Sequence, residues 1–342
     1  MKKTSFKNKS ILITGATGSF GKSFVKKLII EKYPFRRIII FSRDELKQFE
    51  MKTNTFFNDT KHKNLRYFIG DVRDKNRLLQ AFQDVDYVIH AAALKQVPTA
   101  EYNPFETINT NIIGAQNVIE AALATKVRKV IALSTDKASS PINLYGATKL
   151  CSDKLFTTAN NVSGFKNISF TVVRYGNVMG SRGSVIPYFL EQKKKGILTV
   201  TDEKMTRFNI TLSESTNLVM WALENAYGSE ILVPKIPSYR ILDLAKSICT
   251  NCKIKITGVR PGEKINEEMI SFEESRNVIE LKKYFVVLQN GNDDQKKFYM
   301  KKFNGKVIKK QFTYSSDKNF EFLSNQQLKK LINKNLYKDK KD

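Results

Sequence analysis

The sequence predicts an α/β fold: a doubly wound parallel sheet with a smaller C-terminal lobe interleaved with it. Three observations carry this. Short apolar runs near 10–14, 37–41, 66–70, 86–91, 129–134 and 169–174 alternate with amphipathic segments, the rhythm that lays helices on both faces of a parallel sheet. A glycine-rich turn stands at the first strand–helix junction, where this architecture meets a dinucleotide. After Arg174-Tyr175-Gly176-Asn177 the alternation breaks down into mixed helix, strand and polar loop. The boundaries expected are 1–176 for the dinucleotide-binding domain, completed by part of 210–250. Mostly substrate-binding chain follows over 177–290, and a C-terminal extension with a basic tail over 291–342.

The first strand runs into Gly15-Ala16-Thr17-Gly18-Ser19-Phe20-Gly21, followed by an amphipathic segment to about residue 30. Glycines let the backbone turn sharply and approach a pyrophosphate at the helix N-terminus. The second strand ends in Ser42-Arg43-Asp44-Glu45. An acid directly after this strand would clasp the ribose diol of NAD, whereas Ser42 and Arg43 suit a 2′-phosphate and Asp44 comes one step late. NADP is therefore the expected cofactor. Asp71 and Val72 follow the third strand, where they would flank the adenine. Ala91, Ala92 and Ala93 follow the fourth and would line the cofactor, with His90 ending a buried strand rather than doing chemistry.

The fifth strand leads into Ser134-Thr135-Asp136-Lys137-Ala138, and Tyr145 and Lys149 follow on a helix, one turn apart on one face. A tyrosine titrates near 10, so half-ionising it at neutral pH costs roughly 4 kcal/mol. One cation at about 5 Å in an effective dielectric of about 20 supplies roughly 3 kcal/mol. Lys149 and an oxidised nicotinamide together would cover that demand. Tyr145 would then take a proton from a substrate hydroxyl while hydride leaves the same carbon. Asp136 and Lys137 add an acid and an amine base, the set needed to eliminate water. A basic Lys137 must shed its proton, which burial and nearby cations favour and Asp136 opposes, so the two titrate as a coupled pair.

Beyond residue 177, 180–185 reads as a polar loop and 187–195, 213–227 and 241–249 as helices. A strand is expected at 230–233, another at Tyr284–Leu288, and a last helix at Asn325–Ile332. There is no internal repeat and no long linker.

Composition narrows the function classes. The chain has 342 residues, 41% hydrophobic and 27% charged, as globular proteins do. No apolar run approaches the ~20 residues of a bilayer span. Lysines near the start precede no apolar signal region, so a cytoplasmic enzyme with no membrane partner is expected. Three cysteines make no disulfide framework. Cys249-x-x-Cys252 has neither a second pair nor a nearby histidine for zinc, and a redox role is not expected. With only two histidines, no metal site is expected. The net charge of +25 comes from lysines scattered along the chain. No nucleic-acid-binding motif accompanies them, and none of that class of partner is expected. The field favours an anionic small substrate such as a nucleotide sugar. The one true basic cluster, 329–341, reads as solvated.

With the glycine turn, Asp71-Val72, His90-Ala-Ala-Ala and Tyr145/Lys149 in order, the chain resembles an extended short-chain dehydrogenase/reductase with a Rossmann domain. Ser134-Thr-Asp-Lys-Ala, Pro141-Ile-Asn-Leu-Tyr-Gly-Ala-Thr-Lys149, Val173-Arg-Tyr-Gly-Asn-Val178, Met205-Thr-Arg-Phe208 and Arg260-Pro-Gly-Glu-Lys264 narrow this. Over about 8–290 it is similar to the inverting UDP-N-acetylglucosamine 4,6-dehydratases, which begin pseudaminic acid synthesis in bacteria. The resemblance implies a cycle in which Tyr145 deprotonates the C4 hydroxyl and hydride passes to NADP. Lys137 then removes the C5 proton while Asp136 protonates the departing C6 hydroxyl. Hydride returns to C6 and a proton reaches C5 from the opposite face. It also implies Lys95 and Val178 beside the cofactor, Arg260 and Arg207 at the phosphates, Glu263 at the ribose, and Lys95 and Asn177 near the sugar. One departure is Asn209, where the family pattern has an aromatic after Arg-Phe. A homo-oligomer, dimer or hexamer, is implied, built by analogy on helices near 105–124 and 144–160. The alternatives are a non-inverting dehydratase, a UDP-sugar epimerase, or a non-catalytic nucleotide-sensing or nucleic-acid-binding member of the fold.

Overall fold

The computed structural model describes residues 3–58, 60–164, 167–181, 184–289 and 292–334. Arg182 and Gly183 of the expected polar loop, and the basic tail beyond Lys334, lie outside the described residues.

Six strands follow the sequence rhythm: β1 (Ser10–Thr14), β2 (Arg37–Ser42), β3 (Leu65–Ile69), β4 (Tyr87–His90), β5 (Lys129–Thr135) and β6 (Ser169–Tyr175). The short strands β7 (Asn177–Val178), β8 (Ile197–Val200) and β9 (Thr206–Ile210) come next, then β10 (Glu230–Pro234), β11 (Ser238–Arg240) and β12 (Lys253–Ile256). The rest are β13 (Glu268–Ile270), β14 (Val278–Glu280), β15 (Tyr284–Leu288), β16 (Lys306–Val307) and β17 (Tyr314–Ser315).

The large sheet has the order β16-β14-β15-β10-β6-β5-β4-β1-β2-β3. It is parallel from β10 to β3, and β15, β14 and β16 add on antiparallel. β1 is buried along its whole length, as is β4, because helices cover both faces of a parallel sheet and its strands read as continuous apolar runs. The chain order reverses between β1 and β4, which opens a crevice at the carboxyl ends of the strands. β14 and β15, grouped from sequence with the second lobe, pair into this sheet.

A second apolar core, including Ile186, Phe189, Leu198, Leu244, Leu328 and Ile332, holds the smaller lobe together. It is framed by helices Val185–Lys193, Ile241–Ile248 and Asn325–Ile332 and by the parallel pair β8/β12. The C-terminal helix is thus part of this lobe. The helix expected near 105–124 is broken by a π-helical turn, Asn109–Ile113, between Pro104–Ile108 and Gly114–Ala124. At that turn Asn111 reaches the backbone N–H and C=O of Leu94 and the Thr148 hydroxyl.

The cysteine reading is corrected. Cys249 ends helix Ile241–Ile248, Cys252 precedes β12, and the turn between them brings their Cα atoms to 5.5 Å and joins them in a disulfide. Cys151 is a free, exposed thiol. Among the described residues no helix is long and apolar enough to cross a membrane, and no group of acidic, histidine and cysteine side chains gathers as a metal site.

Candidate active site

β5 and β6 end in register, Thr135 opposite Tyr175, so the residues after each strand emerge together at the crevice. The chain after β5 makes a single 3-10 turn, Asp136–Ala138, and after a short loop Asn143 caps helix Leu144–Thr158 by accepting from the Gly146 N–H at 2.8 Å. Gly146 is required here, since a Cβ would stand 2.2 Å from the Lys137 carbonyl oxygen. The helix can therefore press against the turn that carries Asp136 and Lys137.

Asp136 is buried. Its Oδ1 accepts from the Thr135 hydroxyl at 2.9 Å and from Lys137 Nζ at 3.1 Å, while Oδ2 is buried without a partner. Burial, and behind it the charge of Glu267, raises the Asp136 carboxyl despite the Lys137 ammonium. Lys137 Nζ also pairs with Glu267 Oε1 at 2.9 Å. Burial alone would lower this amine, yet Asp136 and Glu267 outweigh it and hold it above the ordinary lysine range. The sequence reading set burial and cations, which free the amine of its proton, against Asp136; here the carboxylates prevail, because Glu267 joins Asp136.

Tyr145 is buried on the same side. Its phenol is pushed up to about 12, chiefly by burial, and the charge of Lys137 works against the rise. Lys149, one turn on, donates to the Leu133 carbonyl at 2.7 Å. Burial lowers its ammonium and Asp153 partly restores it. Asp153 itself is fastened by the Ser134 hydroxyl at 2.7 Å and by the fully buried Arg174 at 3.2 Å. His90 bonds the Thr14 hydroxyl at 2.9 Å, and burial drives its imidazole down to about 3. It is a neutral strand-end residue.

The dinucleotide end is built from the first turn. Gly15 has φ 65°, and a Cβ there would meet the Ala92 nitrogen at 2.9 Å. Gly18 precedes helix Ser19–Ile30, whose N-terminus has no side-chain cap hydrogen bond and no acid in its first turn, an end whose positive dipole favours an anion. Phe20 stacks on Phe24 within that helix, and Gly21 is buried in its first turn. Thr17 and Ser42 share a hydrogen bond at 2.9 Å. Asp44 is turned away as the cap of helix Glu45–Thr53, accepting from the Lys47 N–H at 3.0 Å and pairing with the Lys47 ammonium. Exposed Arg43 lies 3.6 Å from Asp71. Asp71, raised by burial, is brought below its usual value by Arg73 and Arg43. Val72 is buried next to it, and Ala91 donates to the Thr14 hydroxyl at 3.1 Å. Ala93 and Lys95 are exposed on the segment after β4. Burial and the nearby Lys137 lower the Lys95 ammonium.

The segment that follows Gly262 packs against the turn and the start of the helix Leu144–Thr158. Asn143 Nδ2 donates to the Gly262 carbonyl at 2.7 Å, Lys264 Nζ donates to the Ser139 carbonyl at 2.8 Å, and Ser139 donates to Glu268 at 2.8 Å. Arg260 is exposed and pairs with Glu263 at 3.2 Å. Arg207, expected at the phosphates, is buried. Its guanidinium donates to the carbonyls of Lys264 and Ile265 at 2.9 Å and lies between Glu263 and Glu267, at 3.6 and 3.7 Å. Asn177 and Asn209 pair across β7 and β9, with Val178 beside them, and the Oδ1 of each asparagine is buried without a partner. Sequence reasoning missed Glu267, Thr135 and Tyr239. Glu267 is 130 positions from Lys137, and no spacing rule joins them.

A family profile described as polysaccharide biosynthesis protein matches residues 11–289. The UDP-N-acetylglucosamine 4,6-dehydratase (inverting) of Campylobacter jejuni subsp. jejuni serotype O:23/36 (strain 81-176) is 51% identical over 96% of this chain and 98% of its own length. The UDP-glucose 4-epimerase of Rickettsia bellii (strain OSU 85-389) is 46% identical over 84% of this chain and 85% of its own. The X-ray structure of Pen from Bacillus thuringiensis superposes with a TM-score of 0.85 at 40% identity, covering 96% of this chain and 98% of that one. The catalytic turn, the glycine cradle and these similarities converge: the chain belongs to the polysaccharide biosynthesis protein family and has the extended short-chain dehydrogenase/reductase fold.

Proposed function

We propose that this protein is an NADP-dependent lyase that converts UDP-N-acetylglucosamine to a UDP-2-acetamido-4-keto-2,6-dideoxy hexose with inversion at C5. The observation that carries the reading is the buried Asp136–Lys137 pair, 3.1 Å apart with Asp136 Oδ2 unpartnered, set against the Tyr145/Lys149 helix. The relationship to the Campylobacter dehydratases supports it.

The uncapped helix N-terminus at Gly18 and the cradle at Gly15 fit a pyrophosphate. Ser42 and Arg43 would hold a 2′-phosphate, Asp71 and Val72 the adenine side, and Ala91, Ala93, Lys95 and Val178 the path to the nicotinamide. The chemistry supplied by the bound dinucleotide is hydride acceptance from C4 and hydride return to C6.

Tyr145 Oη takes the C4 hydroxyl proton, with Lys149 and Lys137 as the positive charges that ease its ionisation. Asp136 and Lys137 then do the elimination. Moving one proton from Lys137 Nζ to Asp136 across 3.1 Å turns ammonium and carboxylate into amine and acid at constant net charge. The amine takes the C5 proton, made acidic by the C4 ketone. Asp136 protonates the C6 hydroxyl, which leaves as water as the C5–C6 double bond forms. The pair ends as ammonium and carboxylate again. Arg260 serves the diphosphate, Glu263 the ribose, and Lys95 and Asn177 the hexose. Arg207 buttresses the loop that carries Glu263. We further propose cytoplasmic action as a homo-oligomer (dimer or hexamer), supported by exposed Tyr102, Phe105 and Ile113 on neighbouring helical segments.

Relatives named UDP-glucose 4-epimerase favour epimerisation as the second reading. Turnover of UDP-N-acetylglucosamine with NADP in D2O separates the two. The expected product carries deuterium at an inverted C5 and lacks the C6 hydroxyl, while recovery of a C4 epimer alone overturns the proposal. Tyr145→Phe and Lys137→Ala are expected to cut turnover by about 10²–10⁴-fold with nucleotide binding retained.

A further inference from the structure

We propose that Glu267 is a positioning residue for the elimination step: a carboxylate that fixes Lys137 and strengthens it as a base. The inference rests on the dehydratase reading above.

Glu267 is 1% exposed, and its Oε1 stands 2.9 Å from Lys137 Nζ, which Asp136 Oδ1 also contacts at 3.1 Å. Its backbone is pinned in both directions by Ser316, whose N–H donates to the Glu267 carbonyl at 2.8 Å and whose hydroxyl accepts from the Glu267 N–H at 2.9 Å. Ser316 is itself bonded to the Thr206 hydroxyl at 2.6 Å. The backbone that carries the carboxylate is therefore held by the fold, independently of Lys137. Its second oxygen is buried without a partner. A carboxylate is buried at high cost unless cations compensate it, and the two that face it closely are Lys137 and Arg207.

The proton accounting gives this carboxylate its role. Asp136 must be protonated to act as an acid, and at that moment it stops being an anionic partner for Lys137. When Lys137 takes the C5 proton, a new ammonium forms in a buried site. Glu267 is the anion already in place to receive it. Two carboxylates contact one amine, and the site must decide which of them carries the proton. Arg207 lies 3.7 Å from Glu267, and Lys264 adds a second positive charge near it. Burial raises Glu267, but Lys137 and Arg207 outweigh it and keep it ionised, whereas Asp136 is raised by burial and by Glu267 itself. Acid and counter-ion are thereby assigned to different carboxylates.

The charged and titratable groups around Lys137 are Asp136 on its own turn, Glu267, Arg207 on β9, Tyr145 on helix Leu144–Thr158, Tyr239 on β11 and Lys95 after β4. Arg207 and Lys95 disfavour an ammonium at Lys137, and Glu267 offsets them. Its contact with the elimination pair is through Lys137 Nζ, so its effect runs through that amine.

The test uses the full-length enzyme with NADP, comparing wild type with Glu267→Gln and Glu267→Asp. C4 oxidation is read from reduced-nicotinamide absorbance in a single turnover, and elimination from 4-keto-6-deoxy product and deuterium at C5. For Glu267→Gln, C4 oxidation stays near the wild-type rate and elimination falls about 10–100-fold, the loss of one charge-assisted hydrogen bond. Reduced nicotinamide then persists where the wild type returns it. The limb of the pH profile that reports Lys137 moves to lower pH, because removing an anion weakens the amine's hold on its proton. Glu267→Asp recovers part of the elimination rate, and it carries the same test should the glutamine variant fail to fold. Wild-type turnover with an unmoved limb overturns the proposal. So does equal loss of both half-reactions, which a merely structural role produces. A wild-type enzyme that exchanges no hydrogen at C5 overturns the dehydratase reading and this proposal together.

Discussion

At the residue scale, cofactor choice turns on what Asp44 does with its side chain. An acid at the end of β2 can clasp a ribose diol, but here it caps the next helix and pairs with Lys47. That leaves Ser42, bonded to Thr17, and the exposed Arg43 as the residues proposed to hold a 2′-phosphate. Arginine's planar fork suits phosphate oxygens. Arg43→Ala is expected to lower kcat/KM for NADP about 10-fold while leaving NAD nearly unchanged, the loss of one charge-assisted contact; initial rates with each dinucleotide check it. Tyr145 and Lys149 were legible at this scale because both lie on one helix, where a spacing of four means a shared face. Asn209 was legible only as a departure from a pattern. The fold sets it across from Asn177, with both side-chain carbonyl oxygens buried and unpartnered.

Elements decide how those residues are held, and one element carries a charge with no part in the reaction. Glu230 opens β10 and is fully buried. It accepts from the Thr171 hydroxyl at 2.8 Å and from the Gly228 N–H at 2.8 Å, with Gln295 of helix Asp293–Phe303 close by. Burial raises its carboxyl from 4.5 to about 7 against those hydrogen bonds. A raised acid binds its proton more tightly folded than unfolded. Its contribution to stability is therefore fully present below about pH 4.5 and is lost as pH rises through 7, of the order of 3 kcal/mol in all. Glu230→Gln is expected to remove that slope and to be the more stable protein at pH 8, with little difference at pH 4.5. Denaturant unfolding at the two pH values checks this. The strand was legible as an apolar run at 230–233, but its charge was not, since nothing local marks that glutamate as buried.

Across the whole molecule, the apolar side chains gather into two cores, one around the large sheet and one in the smaller lobe. The chain's last described helix belongs to the smaller core, not to an appended tail. Leu328 on that helix is wholly buried among lobe residues. Leu328→Ala is expected to cost about 2–5 kcal/mol of stability. It raises KM for the nucleotide sugar while dinucleotide affinity stays near that of the wild type, because the glycine turn sits in the other core. Thermal melts and separate titrations of the two ligands check it. The Cys249–Cys252 link lies in the same lobe, at the end of helix Ile241–Ile248. Sequence arithmetic counted an odd number of thiols; the turn geometry pairs two of them.

The sequence by itself determined the parallel sheet, the glycine turn and the Asp136, Lys137, Tyr145 and Lys149 cluster. Each of these is written in local periodicity or short spacing, where chain neighbours are also neighbours in space. Only the tertiary structure decided that Glu267 faces Lys137, that Arg207 is spent on the loop beneath it, and that the amine is held as an ammonium. Those outcomes depend on charges far apart in sequence meeting where water is excluded. Neither composition nor spacing contains that distance.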